Sequence, residues 1–173
     1  MTKPTNIVIS LDPGPVDTAW VTVESPTLRI VDHGFQPNVE ILGLLTCVFT
    51  DSAMYMSPQP VIACEMVQSF GMSVGASVFE TVYWIGRFNQ KACDLSLPFH
   101  RIFRKDIKMH LCQSMRAKDA NIRQALIDKL GPQGKKSSPG PTYGISKHSW
   151  AALAVGVAFI ETTLNPAQSA LAV

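Results

Sequence analysis

Three β-type runs crowd the first 35 residues, and the turns between them are too short to hold a helix. Asn6-Ile-Val-Ile-Ser-Leu-Asp12 is apolar and β-branched and stops at Pro13-Gly14. Thr18–Glu24 alternates, and Leu28–Phe35 follows the break at Ser25-Pro26. Short turns between such runs predict an antiparallel meander. Val39–Met54 then changes period, with Ile41, Leu44, Leu45 and Val48 at helical spacing. Pro58 and Pro60 lead into Val61-Ile-Ala-Cys-Glu65, a second buried strand that ends on an acid.

Further along, Ser73–Leu95 reads as a helix with Val74, Val78, Val82 and Ile85 on one face; the part around Val78, Val82 and Ile85 is a candidate seam between two copies of the chain, and ordinary core packing explains it equally well. His100–Phe103 is a short fifth strand, Arg104–Leu130 is one or two basic helices, and Gly131 suits their C-cap. Gly131–Gly144 holds three prolines and four glycines and reads as a mobile loop. Ser146–Leu164 is the last helix, strongly apolar from Trp150. This order predicts an α/β fold, a mixed five-stranded sheet flanked by helices, in one domain over residues 1–173.

At 46% hydrophobic and 16% charged residues, the chain is too apolar for disorder. Its longest apolar run, Trp150–Ile160, is shorter than the roughly 18–20 residues of a membrane span. No signal-peptide pattern follows Met1, so a cytoplasmic location is expected. The net charge of +2 averages two unlike regions. Arg87–Lys147 carries 13 of the 15 basic residues and four acids, a net +9, which leaves −7 on the remainder. Such asymmetry is the footprint of a polyanion partner, although a solvated basic helix face would give the same count.

Cys47, Cys64, Cys93 and Cys112 are widely spaced, without the close pairs that announce structural zinc. Their apolar neighbours predict four buried, reduced thiols.

Asp12 and Glu65 each end an apolar strand. If those strands lie side by side, two carboxylates meet at one edge of the core, and their repulsion is relieved by a divalent cation. Two unrelated acids facing water would leave the same pattern. His148 opens the last helix on its polar side, whereas His33, His100 and His110 read as surface or packed residues.

Asp12-Pro-Gly after one β-run, Glu65 after another, and the late His148-Ser-Trp-Ala151-Ala-Leu-Ala together resemble the RuvC family of Holliday junction resolvases. That family lies within the RNase H-like superfamily, and the likeness extends to the shorter RuvC-like resolvases of bacterial viruses. It runs from about Asn6 to Phe159, with the three blocks in order and at matching intervals. The resemblance implies an RNase H-like fold and a homodimeric endonuclease that nicks four-way and other branched DNA symmetrically. It also implies two Mg²⁺ ions, with Mn²⁺ as a substitute, on Asp12, Glu65 and His148 as catalytic ligands. Phe70 falls where the family keeps an aromatic near the junction centre. Lys105, Lys108 and Lys118 fall in its basic segment, Arg104 and Arg123 are further candidates for phosphate contact, and the Lys135-Lys136 loop is either a DNA-contacting arm or a disordered tip.

One position departs from the pattern. The last block ordinarily carries a second ligand three residues after the first, and here that residue is Ala151, which cannot bind metal. Either an Asp has been replaced, or the chain is a divergent member that relies on Asp12, Glu65, His148 and water. Loss of that ligand also opens a reading of another class, a junction-binding protein that no longer cuts. A nuclease for flaps or RNA–DNA hybrids is the third.

Overall fold

A computed structural model describes residues 6–55, 59–69, 71 and 73–166. Three strands, β1 (Asn6–Pro13), β2 (Asp17–Ser25) and β3 (Ile30–Pro37), form the expected meander. Helix α1 (Asn38–Tyr55) leads to β4 (Val61–Met66), and α2 (Ala76–Asp94) leads to β5 (Phe99–Phe103). Both later strands run parallel to β1, giving one mixed sheet in the order β3-β2-β1-β4-β5. The basic region folds as two helices, α3 (Arg104–Cys112) and α4 (Asp119–Leu130), followed by α5 (Ser149–Phe159).

Both faces of the sheet are covered, and β1 shows how. Val8 faces α5, whereas Ile9 and Leu11 face α1 and α2, the period-two alternation of a central strand. On the α5 side Val8, Ala19, Val21 and Ala63 pack against Leu153, Val157 and Phe159. On the other side Ile9, Leu11, Trp20 and Ile62 pack against Ile41, Leu45, Ile85 and Phe88. Helix α5 is buried along nearly its whole length. It can lie close to the sheet because residue 156 is glycine: a Cβ there would come 2.8 Å from Ser10 Oγ. Ser10 in turn donates to the Val21 carbonyl at 2.8 Å, so no polar group is stranded under the helix.

The structure corrects three expectations. Gly131–Gly144 contains a small hairpin, β6 (Gly134–Lys135) with β7 (Ser138–Pro139), turning at Lys136-Ser137, because Gly134 and Gly140 let its backbone segments approach where a Cβ would clash. The last helix does not remain α-helical to Leu164; Ile160–Leu164 widens to a π-helical turn. Of the four cysteines only Cys64 is fully buried, while Cys47 and Cys93 are exposed and Cys112 is half-buried. Apolar neighbours in sequence misled because Cys47 sits two residues, about 200° of helix, beyond buried Leu45.

The proposed α2 seam is also divided. Ile85 belongs to the core, Val78 is half-buried, and Val82 is exposed beside Phe79 and Tyr83. Among the described residues, no helix is long and apolar enough to cross a membrane.

Candidate active site

Asp12 and Glu65 come together because β1 and β4 are neighbours in parallel register. Leu11 pairs with Cys64, so each acid lies one step beyond the same rung, on the face that α5 covers. The turn after Asp12 is fixed by a buried side chain. Asn38 donates to the Gly14 carbonyl at 3.0 Å and accepts from Thr18 Oγ1 at 2.5 Å. Gly14 donates to the Asp17 carbonyl at 2.8 Å, and a Cβ on it would lie 2.8 Å from that oxygen. The Asp12-Pro13-Gly14 signal therefore reflects a turn with no room for a side chain.

Arg104, the first residue of α3, is turned inward. Its guanidinium lies 3.1 and 3.0 Å from the two oxygens of Glu65 and also pairs with Asp119 at the start of α4. Arg104 and Asp119 open into a cavity of about 230 Å³ walled also by Asp12, Lys147, His148 and Ala151. Burial, then the Glu65 charge, raises Asp12 to about 7; Arg104 opposes this and Asp119 adds to it. Burial also raises Glu65, with Arg104 and Lys108 pulling it back. Cys64, fully buried on the opposite face of the sheet, is raised well above a normal thiol, chiefly by burial.

His148 precedes α5 and faces the cavity, but its ring stacks on Phe35, with centroids 5.1 Å apart and planes 18° apart. Among the described residues no three His, Cys, Asp or Glu side chains converge as a metal-binding group. Asp12 and Glu65 alone suit one hydrated Mg²⁺, which ordinarily takes one or two carboxylates and keeps several waters. They do not make a set for two ions. Ala151 offers no donor, and Glu65 and Asp119 are both engaged by Arg104.

The other basic residues of the expected DNA-binding set lie outside the cavity wall. Lys105 Nζ lies 5.8 Å from the centre of the Phe103 ring, and Lys108 acts on Glu65 through its charge. Lys118 caps α4, its backbone N–H donating to Asn121 Oδ1 at 2.9 Å. Arg123 stacks over Trp150 at 5.1 Å and lines an adjoining groove with Asp119 and Lys147. Lys135 and Lys136 are exposed on the small hairpin. Phe70 lies outside the described residues.

Sequence reasoning overlooked Asp119, Lys147 and Phe35. Asp119 and Lys147 adjoin residues already singled out, but only helix packing brings them to Asp12. Phe35 was legible in principle: Asp12 pairs with Ala19, and Ala19 pairs with Phe35, so the three form one row across β1, β2 and β3.

A five-stranded mixed sheet with acids on the ends of its two adjacent parallel strands, covered by a buried helix, is an RNase H-like α/β architecture. By sequence the chain matches no protein-family profile and none of the curated proteins. Its fold is that of RuvC. The structure of Thermus thermophilus RuvC superposes with a TM-score of 0.60 at 15% identity, covering 91% of this chain and 96% of that one. T. thermophilus RuvC in complex with a Holliday junction substrate gives 0.61 at 15% identity, covering 88% and 92%.

Proposed function

We propose that this chain is a divalent-metal-dependent DNA endonuclease that resolves four-way junctions and related branched DNA by symmetric nicking. The observation that carries the reading is the pair Asp12 and Glu65, half-buried on adjacent strand ends, with Asp12 in the wall of a cavity that also bears Arg104 and Lys147. Like-charged carboxylates in one buried place favour a cation, and a cation beside basic groups suits a phosphodiester. When bound, Mg²⁺ or Mn²⁺ supplies the charge that activates water and stabilises the leaving oxygen. Asp12 and Glu65 are the residues to hold it, and a second ion would depend on substrate phosphate for its ligands.

The chain's own groups do the rest. Arg104 fixes the direction of Glu65 and, with Lys147, offsets phosphate charge at the cavity. Lys105, Lys108, Lys118 and Arg123 neutralise backbone phosphates without reading sequence, and the Lys135-Lys136 hairpin extends that track. Phe70 is the residue to stack on a base near the junction centre. Two symmetric cuts require two sites, hence a C2 homodimer acting in the cytoplasm.

Ala151 favours a second reading, a branched-DNA-binding protein that does not cut. The test compares the chain with Ala151→Asp on labelled four-way junctions, flaps and RNA–DNA hybrids in Mg²⁺ or Mn²⁺. The endonuclease reading expects symmetric junction nicks, strongest in the Asp variant and abolished by adding Asp12→Asn. Tight junction binding without cleavage in every variant selects the binding protein. Preferential cutting of flaps or hybrids changes the substrate.

A further inference from the structure

Beside the acid cavity lies a second groove of about 500 Å³ that shares Asp12 and His148 with it. Its chemistry is different. Pro13, Pro15, Val16 and Phe35 line it, and among the described residues no Lys or Arg does. Phe35, on the edge strand β3, is 53% exposed and Val16, in the turn before β2, is 67% exposed, so both offer apolar surface to the groove. The Phe35 ring is held by its stack on His148 rather than by the core.

The position of the groove decides what fits it. Phe35 stands two interstrand steps from Asp12 in the same cross-strand row, with small, buried Ala19 between them. Two such steps span about 10 Å. A phosphate held at the acid cavity meets Arg104 and Lys147 there. The nucleotide attached to it must place its uncharged, planar base elsewhere. An aromatic wall without cations repels nothing in a base and gives it a face to stack on, whereas a phosphate in that groove would meet Asp12 and Asp17 unopposed. The volume is also ordinary for a small-molecule-sized occupant.

We infer that the Phe35–His148 stack is a nucleobase platform, taking an unpaired base next to the phosphate held at Asp12 and Glu65. This rests on the proposed DNA-cutting function and adds to it a subsite that selects DNA with an unstacked base at the point of attack. Phe35 acts here as a positioning residue, with His148 backing its ring.

The test uses the full chain and four-way junctions carrying 2-aminopurine, one position at a time around the exchange point, with Ca²⁺ in place of Mg²⁺. Fluorescence reports base stacking and anisotropy reports binding. One position should be quenched on binding. Phe35→Leu, which keeps apolar bulk but no π-face, and Phe35→Ala should lose that quenching, with affinity falling roughly 5- to 150-fold. Phe35→Trp should retain both. Quenching that survives Phe35→Leu and Phe35→Ala at unchanged affinity overturns the platform and leaves the endonuclease reading intact. Failure of the unmodified chain to bind any junction overturns both.

Discussion

Arg104 grips Glu65 by both carboxylate oxygens while a second guanidinium nitrogen holds Asp119, so one side chain ties β4, α3 and α4 together. Such a planar fork orients a carboxylate more firmly than a lysine does. Because Arg104 lowers both Glu65 and Asp12 against the upward push of burial, Arg104→Gln should make both acids titrate at higher pH. Carboxyl-carbon NMR of the metal-free protein measures this directly. Titrations that do not move would mean that the fork is open in solution.

Asp12 gives stability a specific pH dependence. Folding raises it from 3.8 to about 7, so the folded state disfavours its charged form. The cost is absent below the unfolded value, grows as pH rises between the two, and is complete above about 7. In EDTA, Asp12→Asn should therefore stabilise the chain at pH 8 by on the order of 1–3 kcal/mol and have no effect near pH 3. Urea unfolding at the two pH values decides it. Mg²⁺ should raise the melting temperature of the unmodified chain more than that of the variant.

The contact between Gly156 and Ser10 predicts an unusual helix substitution. Alanine ordinarily favours a helix over glycine by about 1 kcal/mol. Here its Cβ would lie 2.8 Å from Ser10 Oγ and 3.1 Å from Ser10 Cβ, and overpacking costs about 1–3 kcal/mol. Gly156→Ala should fail to stabilise and should instead cost up to about 2 kcal/mol by chemical denaturation. Combining it with Ser10→Ala should recover part of the loss, and strict additivity would place the strain elsewhere.

Lys108 bears on DNA through charge alone in the proposed function. Lys108→Ala should weaken binding to junction and duplex alike and reduce the slope of log affinity against log salt by about one. Titration at several salt concentrations measures that slope. An unchanged slope would remove Lys108 from the DNA-facing surface.

Strand and helix order was legible because period and punctuation agree: Asp12-Pro13-Gly14 marks a turn in sequence and is one in space. The pairing of Asp12 with Glu65 was legible only as far as strand ends can meet. Arg104 could not be placed the same way, since a basic residue at a helix start reads equally as facing DNA or facing inward. Its direction is set by Glu65 and Asp119, 39 and 15 residues away in the chain. The cysteines failed for the opposite reason, because local apolar company says little about which side of a helix a residue occupies.

The parallel pairing of Leu11 with Cys64 has one more consequence. The gap between the two acids belongs to the backbone ladder, at the usual interstrand distance of about 4.8 Å, and not to the side chains around it. Substitution, or even insertion, between Gly14 and Pro60 can reshape the surroundings without retuning that gap. A slip of β4 by one residue would do what no such change can: it would turn Glu65 to the opposite face of the sheet, among the α1 and α2 contacts. The spacing of the acids is therefore held by a register rather than by the identity of the residues that surround it.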